Sequence, residues 1–437
     1  MKAGELTRRD FLVGVGAGVG ASLLPGCAPW WKAPPHVVCI NVDQLRKEVA
    51  DRDLKATGQL AAGGGVVFEQ MRSAAPWTYP SVLSFMSGLL PQQHGADGHM
   101  FDNHLSRFDP ALPTLQRLLR TAGYHTAGFV TNPFLHTWNA FNRGFDHFDV
   151  SFVGSQGNLR GFPGLVWKPE KMFANSVNAA IREHFDARPR SGPEFSYVHY
   201  IDVHGPWKGA PFAPGYGSAA RFVDARIIEL YRYFERRYDG EMLFFVTSDH
   251  GRALANDRML GYGRKWRHSK ASMHEFNLRI PFVVMPSRLV VGPRVVTEPC
   301  SNIDFAPTLL AWLGIAETVR LPGADLGPAI RGESVSRSAD RVIYAKMSAF
   351  GNSSDCIIED GLKHIRFFDP KTGDVIARRV FDVRTDPDEV HGLDVDPAIA
   401  DPIFERMAGT QGVQFEAEFA EADPDVLDRL QALGYFQ

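Results

Sequence analysis

Five short apolar runs rich in β-branched and aromatic residues alternate with amphipathic stretches along the chain, and three of them end in acidic or imidazole side chains. The runs are VVCINVD, HTAGFVT, FSYVHYID, EMLFFVTSD and IPFVVMP; LPTLQRLLRTAG and FVDARIIELYRYFERRY lie between them. Continuous apolar runs of this length are buried strands, and strands alternating with helices predict an α/β fold with a largely parallel central sheet flanked by helices. In open α/β sheets ligands collect beyond the carboxyl ends of the strands. Asp43, Asp202 with His204, and Asp249 with His250 all fall there, so they are expected to share one pocket. A single strand-end Asp is equally well explained as a cap for the next helix; three such ends together count against that explanation.

From about Arg341 the pattern changes to short alternating segments, RVIYAKM, DCIIEDGLKHIRFFD and RRVFDVRTDPDEVHGL, which predict a small antiparallel sheet. The last residues, DVLDRLQALGYFQ, predict an amphipathic helix that docks on the body. The expected organisation is a leader over 1–27, a proline-rich tether over 28–35, a catalytic domain over 36–335 and a C-terminal subdomain over 336–437.

The first residues, TRRDFLVGVGAGVGASLLPGC, read as an address. Arg8 and Arg9 stand directly before a glycine-rich, weakly apolar run, the pattern of twin-arginine export. Phe11 to Leu24 falls short of the roughly 20 residues a membrane span needs. The segment ends in LPGC, a lipoprotein-like processing site with Cys27 as the residue to be lipidated, although Pro25 departs from the usual pattern; plain cleavage nearby is the alternative. Acyl chains there would hold the protein at a membrane surface. The expectation is an exported protein, periplasmic or in the cell envelope.

A formal net charge of −3 gives no basic footprint, so nucleic acid is not an expected partner. Cys39, Cys300 and Cys356 are far apart, with no zinc-ribbon or redox spacing, and the sequence does not pair them.

The stretch richest in chemistry is APWTYPSVLSFMSGLLPQQHG. Pro80 and Ser81 favour a helix start, so Thr78 is expected just before a helix N-terminus, where free N–H groups and the helix dipole favour an anion. Taken locally, a capping threonine explains it equally well.

This stretch resembles the sulfatase signature Cys-x-Pro-Ser-Arg followed by a helix and P..HG, with Thr78 at the cysteine position and Val82 at the arginine position. YVHYIDVHGPW, FVTSDHG, EFNLRIPFVV, SNIDFAPTLLAWLGI and LQALGY follow in the order of that family, so the likeness to the sulfatases of the alkaline-phosphatase superfamily covers residues 36 to 437. The resemblance implies an ester hydrolase with one divalent metal ion, held by Asp43, Gln44, Asp249 and His250 with the Thr78 oxygen as a further ligand. It implies roles for His204, and for His268 or Lys270, in binding substrate oxygens and protonating the leaving group. Zinc or manganese would suit His250 with two carboxylates, while magnesium and calcium stay open. His94 fits the family pattern and equally a structural role; Asp304 reads as a helix cap.

Threonine cannot become the formylglycine of ordinary sulfatases. Family members with threonine there resemble phosphodiesterases, phosphonate hydrolases and phospho-group transferases. The expectation is therefore metal-dependent hydrolysis of a phosphate, phosphonate or sulfate ester with Thr78 as nucleophile, on a small-molecule, lipid head-group or glycan substrate. An envelope phospho-group transferase and a degenerate member that binds an anionic glycan or lipid without turnover are the alternatives; Gln44 and Val82 motivate the latter.

Overall fold

The computed structural model describes residues 33–421 except 97–103, 151–156, 160–161, 166–171, 206, 208, 255–256, 258–271, 291, 334–341, 350–351, 370, 409–413 and 416–417. The leader with Cys27 and the terminal DVLDRLQALGYFQ segment lie outside the described residues.

Eight strands form the central sheet: β1 (His36–Val42), β2 (Val66–Phe68), β3 (His125–Val130), β4 (His147–Asp149), β5 (Glu194–Tyr200), β6 (Met242–Thr247), β7 (Phe282–Val284) and β8 (Arg294–Val296). Their order across the sheet is β8-β2-β7-β6-β1-β5-β3-β4. Only β7 runs antiparallel to its neighbours, β6 and β2. The sheet is thus largely parallel, as its unbroken apolar strands require.

Alternation along the strands divides the core into two layers. Val37, Cys39, Phe195, Tyr197, Leu243 and Phe245 face one layer. Val38, Ile40, Val198, Tyr200, Phe244 and Val246 face the other. The first is covered by helices α1 (Thr78–Ser87) and, later in the chain, α4 (Phe305–Leu313), through Val82, Leu83, Met86, Leu309 and Leu310. The rings of Phe85 and Phe305 stack at 4.0 Å between these helices. The second is covered by α2 (Ala174–Asp186) and α3 (Tyr216–Arg237), through Val177, Ile181, Val223, Ile227 and Phe234. Each such side chain contributes about 1.5–3 kcal/mol by leaving water. Every residue of α1 is buried, so the helix that begins at Thr78 is fixed on all sides.

A second, antiparallel sheet follows: β9 (Ile343–Ala349), β10 (Asn352–Glu359), β11 (Leu362–Phe368), β12 (Val375–Asp382) and β13 (Leu393–Asp394), in chain order. It is riveted to the body by buried charge. Lys363 Nζ lies 2.8 Å from Glu389 Oε1 and 3.2 Å from Glu275 Oε1, and Arg72 Nη2 lies 2.8 Å from Glu275 Oε2. The N–H of Lys346 bonds the carbonyl of Ala74 at 2.9 Å, which anchors the run leading into Thr78. Cys39, Cys300 and Cys356 are buried and not joined in disulfides. Among the described residues no helix is long and apolar enough to cross a membrane.

Candidate active site

Parallel pairing brings the ends of β1, β3, β5 and β6 side by side, with Asn41 opposite both His199 and Thr247. Asp43 follows β1 directly, its N–H held by the carbonyl of Tyr200 at 2.8 Å, and its side chain has no solvent exposure. Asp249 and His250 follow β6 through Ser248, whose hydroxyl donates to the His250 carbonyl at 2.7 Å. Asp249 Oδ1 accepts the N–H groups of His250 at 2.8 Å and Gln44 at 3.1 Å. To reach Asp249, Gln44 adopts a left-handed conformation (φ 60), which is uncommon outside glycine and clusters at functional sites. The sequence placed Gln44 among the metal ligands; the contact its geometry provides is this main-chain one.

Thr78 is the first residue of α1. The extended residue before the helix is Trp77 (φ −154, ψ 161), so the boundary falls one position earlier than the sequence indicated. The hydroxyl of Ser81, one turn on, donates to the Asp249 carbonyl at 2.6 Å and accepts from Asn302 Nδ2 at 3.0 Å, tying the start of α1 to the end of β6. Thr78 Oγ1 then lies 3.3 Å from His250 Nε2 and 3.4 Å from Asn132 Nδ2. The second ring nitrogen, Nδ1 of His250, lies 2.6 Å from the Gly251 carbonyl. A carbonyl only accepts, so Nδ1 carries the proton and Nε2 is left as an acceptor facing the Thr78 hydroxyl.

Around this hydroxyl the buried polar atoms are left over in a consistent way. Asp43 Oδ1, Asp249 Oδ2 and both ring nitrogens of His199 have no hydrogen-bond partner. His250 Nε2 is 3.5 Å from Asp249 Oδ2 and 4.0 Å from Asp43 Oδ1. His199 Nε2 is 4.0 Å from Asp43 Oδ2 and 4.0 Å from Asp249 Oδ2. Burial, then the neighbouring Asp249 charge, raises Asp43 well above the usual carboxylate range. Burial alone would raise Asp249 too, but His250 and His199 outweigh it and bring it below that range. Two buried carboxylates this close cannot both stay charged without a cation between them. Asp43, His199 and Asp249 offer ligand atoms within 4.8 Å of one another, all buried, so the donor set fits a divalent ion.

The other strand-end residues divide. His204 is buried; burial, with the Arg252 charge adding to it, lowers its pKa to about 3, so it is neutral near pH 7. Its Nδ1 lies 2.7 Å from the Gly205 carbonyl. In that state it accepts a hydrogen bond at Nε2, and protonating a leaving group requires the anionic substrate to raise its pKa. Asp202 does not join the pocket. Both its oxygens accept the N–H of Ala174, at 3.0 and 3.2 Å, so the expectation that all three strand ends share one site is corrected for this residue: it caps α2.

His94 bonds Ser84 Oγ at 3.1 Å and accepts the Ala96 N–H at 3.1 Å, a brace behind α1. Asp304 takes the N–H groups of Ser301 and Ala324, at 2.7 and 2.8 Å, rather than capping α4. Val82 is fully buried in the core, so the arginine position of the signature brings no cation to Thr78. His268 and Lys270 lie outside the described residues. Two residues escaped the sequence reading. Asn132, just beyond β3, donates to Asp43 Oδ2 at 2.5 Å as well as reaching Thr78, and His199 lies inside β5.

The profile of the family described as Sulfatase matches residues 35–315. The chain belongs to the sulfatase family. Members are hydrolases that act on ester bonds and bind a divalent metal, with which the buried Asp-His-Asp group is compatible. A second profile, N-sulphoglucosamine sulphohydrolase, C-terminal, matches residues 263–410 of this sulfatase-family chain. The Delta 4,5-hexuronate-2-O-sulfatase of Bacteroides thetaiotaomicron is 22% identical over 452 residues, covering 88% of this chain and 90% of that one. Arylsulfatase K of Xenopus laevis is 30% identical over 159 residues, 35% of this chain and only 27% of that protein. The phosphonate monoester hydrolase of Agrobacterium radiobacter superposes with a TM-score of 0.63 at 15% identity, covering 92% of this chain and 95% of that one.

Proposed function

We propose that this sulfatase-family chain hydrolyses a phosphate, phosphonate or sulfate ester with the Thr78 hydroxyl as nucleophile, and that phosphorus esters are its better substrates. The observation behind this is the position of Thr78 Oγ1, at a helix start, 3.3 Å from the one His250 nitrogen free to ligate an ion, which sets the hydroxyl beside the metal position. A threonine hydroxyl needs a base or a metal to become nucleophilic at neutral pH. Asp43, Asp249 and His250, with Gln44 beside them, would hold a divalent cation; when bound, it supplies positive charge to nonbridging oxygens and lowers the hydroxyl pKa.

The chain's own groups do the rest. Asn132 Nδ2 donates toward Thr78 Oγ1 and holds it with a lone pair toward the substrate; with His250 Nε2 given to the ion, the hydroxyl proton would pass to water before attack. The positive end of the helix dipole at Thr78 favours the anion. Attack of Oγ1 on phosphorus expels the alcohol, which takes a proton from His204 or from the His268 and Lys270 region. Water then cleaves the threonine ester.

A relative whose name is that of a hexuronate 2-O-sulfatase supports a glycan ester as substrate; a structural neighbour named a phosphonate monoester hydrolase is consistent with a phosphorus ester. The Arg8-Arg9 leader and Cys27 support action in the cell envelope, at a membrane surface. The test is turnover of p-nitrophenyl phosphate monoesters, diesters, phosphonates and sulfate by mature protein after chelation and re-addition of single metals. Metal-dependent diester or phosphonate cleavage exceeding sulfate cleavage is expected. Sulfate cleaved best overturns the preference for phosphorus, and no turnover of any ester favours binding without catalysis.

A further inference from the structure

The ligands taken from the sequence, Asp43, Asp249 and His250, all sit at strand ends. His199 does not: it is inside β5, paired in register with Asn41 on one side and Val130 on the other, and its ring has no solvent exposure. An unpartnered polar group so deep in a sheet is costly and calls for a partner. Neither ring nitrogen finds a hydrogen bond, yet Nε2 stands 4.0 Å from an oxygen of each buried carboxylate, Asp43 and Asp249. Asp43 Oδ1 and Asp249 Oδ2 are left over beside it. At 4.0 Å an imidazole is too far to hydrogen-bond either carboxylate and too close to ignore them; the spacing is that of donors facing a common centre.

Distances sharpen the choice of ion. Zinc holds imidazole and carboxylate at about 2.0–2.2 Å and can expand to five-fold coordination with one position left for substrate, which sets neighbouring donor atoms roughly 2.8–3.8 Å apart. The 3.5 Å between His250 Nε2 and Asp249 Oδ2 is already in that range, and the 4.0 Å pairs reach it by closing about half an ångström. Calcium instead takes about six to eight oxygen ligands and gains little from imidazole.

We infer that His199 is a ligand of the metal centre. With His250 it opposes two nitrogen donors to the carboxylates of Asp43 and Asp249, a set that selects an imidazole-accepting ion of the zinc class over calcium or magnesium. The inference rests on the metal-centred reading of the site above and not on the chemistry assigned to Thr78.

Direct metal binding tests it. Metal-free full chain is titrated with zinc alone and calcium alone against a chromophoric chelator, and the zinc-loaded wild type is measured by X-ray absorption, which counts imidazole ligands without any substitution. Wild type is expected to bind zinc at least about 100-fold more tightly than calcium, with two imidazoles in the zinc shell. His199→Gln is expected to lose roughly 10–100-fold in zinc affinity while calcium affinity holds. One imidazole or none in the wild-type shell, calcium bound as tightly as zinc, or a folded His199→Gln with unchanged zinc affinity overturns the assignment. Thr78→Ala should keep the zinc preference, so loss of turnover in that variant with metal binding intact separates failure of the nucleophile from failure of the ligand.

Discussion

Asn132 Nδ2 and Asp43 Oδ2 lie 2.5 Å apart, and the same amide nitrogen reaches Thr78 Oγ1 at 3.4 Å. One neutral donor therefore holds a candidate metal ligand and the candidate nucleophile in fixed relation. A charge-assisted hydrogen bond of this kind is stronger than a neutral one, and losing such a support typically costs 10–100-fold, roughly, in metal affinity or activity. Asn132→Ala is expected to lower kcat/KM by about that factor; because Asn132 Oδ1 also accepts the Phe134 N–H at 2.8 Å, some loss of thermal stability accompanies it. Unchanged kinetics would remove Asn132 from the mechanism.

Removing the ion should weaken the fold as well as the activity, because Asp43 and Asp249 are then left facing each other with unpaired oxygens. Chelation is expected to lower the thermal midpoint, and re-addition to restore it. Ligand at about 1,000 times its dissociation constant stabilises by roughly 4 kcal/mol. A midpoint indifferent to chelator argues against a resident ion.

Asp202 separates structure from chemistry. Its carboxylate holds the Ala174 N–H at the start of α2, so Asp202→Ala should destabilise by about 0.5–2 kcal/mol in urea while leaving metal affinity alone. A selective loss of metal binding without loss of stability would return Asp202 to the site.

Stability should fall in mild acid. His125 Nε2 and His184 Nε2 are 3.1 Å apart, and the rings of His147 and His184 stack at 3.9 Å. Burial, then the neighbouring imidazoles and Arg188, lowers His184 to about 4; burial lowers His125 and His147 as well. A base whose folded pKa is lowered takes its proton first in the unfolded chain, so its contribution is whole above the ordinary value of 6.5 and is lost as pH falls from there toward 4. The urea midpoint should drop across that window, with a shallower slope in His184→Gln. Equal slopes in the two proteins would contradict this.

The strand-to-helix alternation made the sheet legible, and Asp43, Asp249 and His250 were legible because each ends a strand, where the sheet geometry itself collects side chains. Thr78 was singled out by its place at the cysteine position of the sulfatase signature, since the Pro80-Ser81 helix start alone reads equally as a cap. His199 was not, because inside FSYVHYID it reads as one more buried strand residue, and only the pairing of β5 with β1 brings it near Asp43. Asn132 sits in a TNP turn, where asparagine is ordinary. Asp202 was placed in the pocket because a strand-end acid looks the same in sequence whether it faces a ligand or a helix start; the partner that decides, Ala174, lies 28 residues away.

The central claim is that Thr78 attacks the ester. The most direct measurement is the mass of the Thr78 peptide after acid quench during steady-state turnover of a phosphonate or phosphodiester. A phosphoryl or phosphonyl adduct on Thr78, absent from a Thr78→Ala variant that has lost turnover and kept its fold, is the predicted result. An unmodified peptide together with a Thr78→Ala variant that still turns over at the wild-type rate would contradict it.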